Sequence, residues 1–110
     1  MKTVLIVASE SPHIEGGGRT LEALRVAAGL AQLSDLQVNL LVKPDAKITL
    51  QDASTLACDS QIREYLKLLL SAGGKIFVSE SCAPTVYPAT RLSKSQIQDL
   101  EQSNPIRIEI

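Results

Sequence analysis

Aromatic side chains are nearly absent from this chain: one Phe, two Tyr and no Trp among 110 residues. Since 45% of the residues are hydrophobic, the core must be aliphatic, built from Val, Ile, Leu and Ala. Scarce aromatics also leave few platforms on which nucleic-acid bases could stack. An excess of positive charge is lacking as well. Eleven Lys and Arg stand against twelve Asp and Glu, for a net charge of −1. No broad basic field exists to neutralise a phosphate backbone, so nucleic acid is not an expected partner. The apolar runs fall far short of the roughly 20 residues of a membrane span, so no membrane partner is expected either. The N-terminus passes from Lys2 straight into a strand-like run, with no separate apolar segment and cleavage site of a signal peptide. Only two cysteines are present, Cys58 and Cys82. They cannot staple a disulfide scaffold, and they fit a reducing cytoplasm with both thiols free. A length of 110 residues implies a single domain spanning 1–110.

What is present is an alternation of apolar runs and helical periods. Thr3-Val4-Leu5-Ile6-Val7-Ala8 is continuously apolar, as strands buried on both faces of a parallel sheet are. A turn-rich stretch from Ser9 to Gly18 follows. A helix is expected from about Arg19 to Leu33, with Leu21, Leu24, Ala28 and Ala31 along one face. A second strand runs from about Gln37 to Val42. Strand, helix and strand form a βαβ unit, whose crossover should be right-handed. Between Lys43 and about Asp59 the pattern is ambiguous, and Lys47-Ile48-Thr49-Leu50 reads as a short strand or a loop. A helix from about Ser60 to Ala72 turns Ile62, Leu66, Leu69 and Leu70 toward a core, and Gly73-Gly74 closes it as a C-cap.

A third strand runs from about Lys75 to Ser79. Pro84 and Pro88 forbid a long helix between Ala83 and Leu92. Ser93 and Gln96 have the spacing of a capping box, which opens a short helix to about Gln102 with Ile97 and Leu100 facing inward. Asn104-Pro105 breaks that helix, and Ile106 to Ile110 reads as a last strand. The alternation predicts a three-layer α/β sandwich: a mostly parallel sheet of four or five strands with helices on both faces.

Cys82 is the leading candidate for chemistry. It follows the strand Lys75–Ser79 by three residues. In a parallel sheet this places a thiol just outside the carboxyl end of a strand, the edge where open α/β sheets bind their ligands. A modest fall in pKa makes a thiol a nucleophile at neutral pH. A cysteine in such a run is also compatible with a small buried hydrophobe that only packs. Arg91 and Lys94 follow at moderate distance, either to lower the pKa of Cys82 or to sit solvated. Cys58 precedes the second helix, where it is either a half-buried residue at a helix start or a thiol that resolves an oxidised Cys82. His13 is the only histidine. It is a solvated loop residue or a base beside Cys82, and no tight Cys or His spacing supports a metal site. Gly16-Gly17-Gly18-Arg19-Thr20 leads into the first helix and suits either a flexible turn or a small-anion cradle. It has neither the Gly-Lys-Ser/Thr of a phosphate-binding loop nor the G-x-G-x-x-G of a dinucleotide site.

Several of these stretches together resemble the DsrE/DsrF-like family of sulfur-relay proteins, which includes TusD-type sulfurtransferase subunits. The opening Lys2-Thr3-Val4-Leu5-Ile6-Val7 has that look, as does Gly18-Arg19-Thr20-Leu21-Glu22-Ala23-Leu24-Arg25-Val26-Ala27. The helix ending in Gly73-Gly74, followed by Lys75-Ile76-Phe77-Val78-Ser79-Glu80-Ser81-Cys82-Ala83, matches best. The resemblance implies a flavodoxin-like domain that forms a homo-oligomer or joins related subunits. It implies that Cys82 holds a sulfane sulfur as a persulfide and relays it between sulfur donor and acceptor proteins. No nucleotide, metal or haem cofactor is implied. Two functions therefore compete: a sulfur carrier or sulfurtransferase acting through Cys82, and a non-catalytic module that binds a small anion or a protein, with Cys82 as a packing residue.

Overall fold

The apolar run at the N-terminus becomes β1 (Lys2–Ala8), and parallel strands flank it on both sides. Residues 2–9, 18–43, 59–80, 87–103 and 106–109 are described by the structure, a computed structural model. From Val4 to Ala8 every side chain of β1 is buried, as a strand covered on both faces requires. The chain continues through α1 (Gly18–Ala31), β2 (Leu36–Val42), α2 (Asp59–Ser71), β3 (Lys75–Ser79), β4 (Thr90–Leu92), α3 (Lys94–Ser103) and β5 (Ile106–Glu109). The five strands form one sheet in the order β4-β3-β2-β1-β5, and every pairing is parallel. This is the three-layer sandwich that the alternation predicts and the flavodoxin-like fold that the resemblance implies.

The strand order decides where the helices go. The steps from β1 to β2 and from β2 to β3 advance in one direction, whereas the step from β4 to β5 returns across the sheet. Crossovers of one hand then put the first two helices on one face and the third on the other. The side chains agree. Val4, Ile6, Ala8, Val38, Leu40, Val42, Ile76 and Val78 point to one face and pack with Ala23, Leu24 and Ala27 of α1 and Ile62, Leu66 and Leu69 of α2. Leu5, Val7 and Leu41 point to the other, under Ile97 and Leu100 of α3 with Phe77 beside them. The two layers are unequal, because α3 has no fully buried residue.

The expected elements appear within one or two residues of their expected ends, with one addition. The fifth strand is β4, Thr90–Leu92, which pairs with Phe77–Ser79. Three residues are too few to show a period of two, and Pro88 just before them reads only as a break. Lys47–Leu50, the other candidate for a strand, lies outside the described residues.

The helix ends use the chemistry that their sequences advertise. Gly73 has φ +88°, a left-handed conformation that suits glycine. Its N–H donates to the Leu70 carbonyl at 3.1 Å, and the Gly74 N–H donates to the Leu69 carbonyl at 2.9 Å. This pair of bonds is a Schellman motif closing α2. At Gly74 a Cβ would lie 2.9 Å from the Leu69 carbonyl oxygen, so the close approach also selects glycine. The Gly73→Ala substitution should cost about 1–2 kcal/mol, from forcing an L-residue into the left-handed region. Urea denaturation of the two proteins checks it through the shift in midpoint at unchanged slope.

Candidate functional site at the carboxyl edge of the sheet

Parallel strands all end at one edge, and the segments that carry the two cysteines and the histidine leave from it. The adjacent strands β1, β2 and β3 end there at Ala8, Val42 and Ser79. The segment leaving β1 contains His13, the one leaving β2 contains Cys58, and the one leaving β3 contains Cys82. The three residues themselves lie outside the described ones, as do Gly16 and Gly17. Gly18 and Arg19 are the first residues of α1, and Thr20 behind them is fully buried. Among the described residues, no group of three or more His, Cys, Asp or Glu could hold a metal ion.

Helix polarity brings partial positive charge to this edge. Short turns at 32–35 and 72–74 carry the ends of α1 and α2 to the starts of β2 and β3. Their N-termini therefore lie at the opposite edge, beside the strand ends. The third helix starts there too, since Lys94 comes two residues after the end of β4. Each N-terminus contributes the equivalent of about half a positive charge, felt over its first turn. The start of α3 is fixed by the expected capping box: the Ser93 N–H donates to Gln96 Oε1 at 2.8 Å, and the Gln96 N–H donates to Ser93 Oγ at 3.3 Å.

The exit of β3 is held by β4. The Glu80 N–H donates to the Leu92 carbonyl at 2.8 Å, and Arg91 Nη1 donates to the Glu80 carbonyl at 3.4 Å. Of the two cations named from the sequence, Arg91 is thus brought to the strand exit, while Lys94 is exposed at the start of α3. Tyr87, part of a proline-bounded segment whose Val86 is not described, is half-buried and packs against the core on the side of α1 and α2.

One ion cluster ties this edge to the third layer. The Lys43 N–H donates to the Ala8 carbonyl at 2.9 Å, which extends the pairing of β1 and β2 by one bond. Its Nζ meets Glu101 Oε1 at 2.8 Å, and Arg107 Nη2 meets Glu101 Oε2 at 3.2 Å. The hydrogen bond from Lys43, more than the charges of Lys43 and Arg107, holds the Glu101 carboxyl below the usual carboxylate range against an opposing effect of burial. Nothing in the sequence announced this cluster, because Lys43 and Glu101 are 58 positions apart. A groove of about 630 Å³ lies between the end of α2 and the starts of β3 and β4, lined by Leu70, Gly74, Lys75, Ile76 and Thr90 among others. It sits at the amino edge, at the far end of the strands from the segments that carry the cysteines.

No family model matches the sequence, and no curated protein matches it either. Among solved structures, the chain is similar to the YchN protein from E. coli, with a TM-score of 0.82 over 100% of both chains and 18% sequence identity. At that identity the likeness is one of fold. The shared architecture extends from one end of the chain to the other.

A carboxyl held low in the folded state stabilises the fold above its unfolded pKa and loses that contribution as pH falls through the folded value. The Glu101→Gln protein should be less stable than the parent by about 0.5–1 kcal/mol at pH 7, as a partly exposed ion pair allows. The gap should begin to close below about pH 4, where the unfolded carboxyl takes up its proton, and vanish once the pH is below the lower folded value. Denaturant midpoints measured across that range check both the gap and its closure.

Proposed function

We propose that the protein is a sulfur carrier or sulfurtransferase that holds a persulfide on Cys82 and relays the sulfur to a partner. The observation that carries this reading is the exit of β3. The chain leaves the carboxyl edge at Glu80 with both its N–H and its carbonyl bonded to β4, next to the N-terminus of α3. Cys82 comes two residues later. Chain connectivity alone keeps its Cα within about 7 Å of that of Glu80. A DsrE-like fold and the resemblance around Gly73–Ala83 support the same assignment.

The chemistry is redox-neutral and needs no cofactor. The Cys82 thiolate attacks the outer sulfur of a donor persulfide. A new S–S bond forms at Cys82 as the donor S–S bond breaks, and the donor sulfur departs as a thiolate with the electron pair. Attack by an acceptor thiolate on the terminal sulfur of Cys82 then transfers it and returns the Cys82 thiolate. The protein has only to ionise the thiol, expose it and stabilise the anion. An electropositive strand edge does this without a general base. Association with a second copy or with related subunits, and with donor and acceptor proteins, belongs to the same reading. Sedimentation at micromolar concentration measures the first of these.

Cys82, rather than Cys58, is expected to take up sulfur. The parent, Cys82→Ser and Cys58→Ser are each incubated with a sulfane donor and weighed intact. The parent and Cys58→Ser should gain the mass of one sulfur atom, and Cys82→Ser should not. The reverse pattern moves the site to Cys58. No uptake by the parent from several donors leaves a non-catalytic binding module in which Cys82 packs.

A further inference from the structure

We propose that the groove at the amino edge is a binding site for a small carboxylic acid with an apolar body, held by the Lys75 ammonium and the main-chain N–H of Ile76. The inference is independent of the reading of Cys82, since the groove lies at the opposite end of the strands.

The free donor comes from the way β4 meets β3. The Glu80 N–H donates to the Leu92 carbonyl, so it points toward β4. Alternate residues along a strand direct their N–H groups the same way, which aims those of Val78 and Ile76 toward that side as well. Pairing with β4 starts only at Phe77, opposite Thr90. The Ile76 N–H therefore emerges one step below the start of the ladder, and no main-chain acceptor among the described residues meets it. Ile76 is 2% exposed. Buried N–H groups almost always have a partner, so an orphan of this kind points to an acceptor from outside the chain.

The walls indicate what that acceptor is attached to. Leu70 of α2, Phe77 and the Pro88-Ala89 pair make the groove mostly apolar, and its volume of about 630 Å³ suits a small molecule. The polar side chains along it are those of Lys75 and Thr90. Lys75 is exposed and takes part in no ion pair among the described residues, so the groove carries an unneutralised positive charge. The end of α2 brings partial negative charge, but its last carbonyls are engaged. Those of Leu68, Leu69 and Leu70 accept from the N–H groups of Ala72, Gly74 and Gly73, and that of Gly73 accepts from Gln37 Nε2. The full charge of Lys75 outweighs the half charge of a helix end. A carboxylate answers both donors at once, with one oxygen on the N–H and the other on the ammonium, while its body covers the apolar walls. An extended peptide fits worse. The Gly74 N–H is committed to Leu69, and β4 covers the edge from Phe77 onward, so an added strand would meet one N–H rather than a ladder.

The test uses hexanoate as the probe and hexanamide as its uncharged counterpart, each titrated into isotope-labelled protein and followed through the amide resonances. Hexanoate should shift the amides of Ile76, Ala89 and Thr90 saturably, with a dissociation constant of about 1 mM, as suits a fragment of that size. Hexanamide should bind the parent about fivefold more weakly, the worth of one partly screened charge, and this comparison needs no variant to fold. Lys75→Gln should weaken hexanoate by the same factor and leave hexanamide unchanged, which separates loss of charge from loss of structure. Equal affinity for acid and amide, or shifts scattered over the surface, would overturn the proposal. So would a lack of saturation by tens of millimolar, which leaves an ordered water on the Ile76 N–H. Movement of the same resonances on concentrating the ligand-free protein would assign the groove to a second copy, and it too would overturn the proposal. None of these outcomes bears on sulfur uptake at Cys82.

Discussion

Pairing β1 with β2 in parallel along their whole length, from Lys2 with Leu36 to Ala8 with Val42, commits the chain to most of its architecture. Parallel neighbours cannot be joined by a tight turn, so a helix must carry the chain back over one face. Both faces of the central strands are then covered, which is why these strands are apolar without alternation. The same commitment sends every strand-to-helix connection out at one edge and every helix-to-strand turn to the other. Topology also decides where the segments carrying the cysteines and the histidine leave the sheet. Cys58, Cys82 and His13 share no spacing in the sequence, yet each belongs to a segment that leaves the same edge from one of three adjacent strands.

Much of the fold could be read from the residues because its signals are local and strong. Lys75–Ser79 is a strand by its apolar content and by the Gly73-Gly74 stop before it, and both stand where expected. Ser93 and Gln96 form the capping box that their spacing announces. The unread parts depend on contacts distant in sequence or on very short elements. Strand β4 exists because the exit of β3 offers it partners, and its own three residues carry no period. The joining of Lys43, Glu101 and Arg107 comes from the return of the chain across the sheet, which no local pattern encodes. The candidate site was legible as a residue type at a strand end. Its electrostatic setting was legible only as two named cations, Arg91 and Lys94, because Arg91 and the start of α3 reach the exit of β3 only through β4.

On the proposed reading, the setting matters more than any single group, because a persulfide needs little machinery. The reaction exchanges one sulfur–sulfur bond for another of similar strength, with no hydride, phosphate or metal to hold. A small aliphatic domain with one histidine and almost no aromatics is therefore adequate to such chemistry. What it must supply is an anion-tolerant edge that a partner can reach. Helix N-termini and main-chain N–H groups at the strand ends supply this without dedicated side chains.

The unequal layers have a dynamic consequence. The first two helices bury Leu24, Ile62, Leu66 and Leu69 almost completely, whereas α3 rests on the sheet through the half-buried Ile97 and Leu100. Subglobal opening follows the weaker layer. Amide hydrogens of β4, α3 and β5 should therefore exchange ahead of those in β1, β2 and the first two helices, as a separate cooperative unit. The two hydrogen bonds from β4 to Glu80 belong to that unit. The exit of β3 can thus lose its hold while the main core stays closed, so this end of the sheet opens without the domain unfolding.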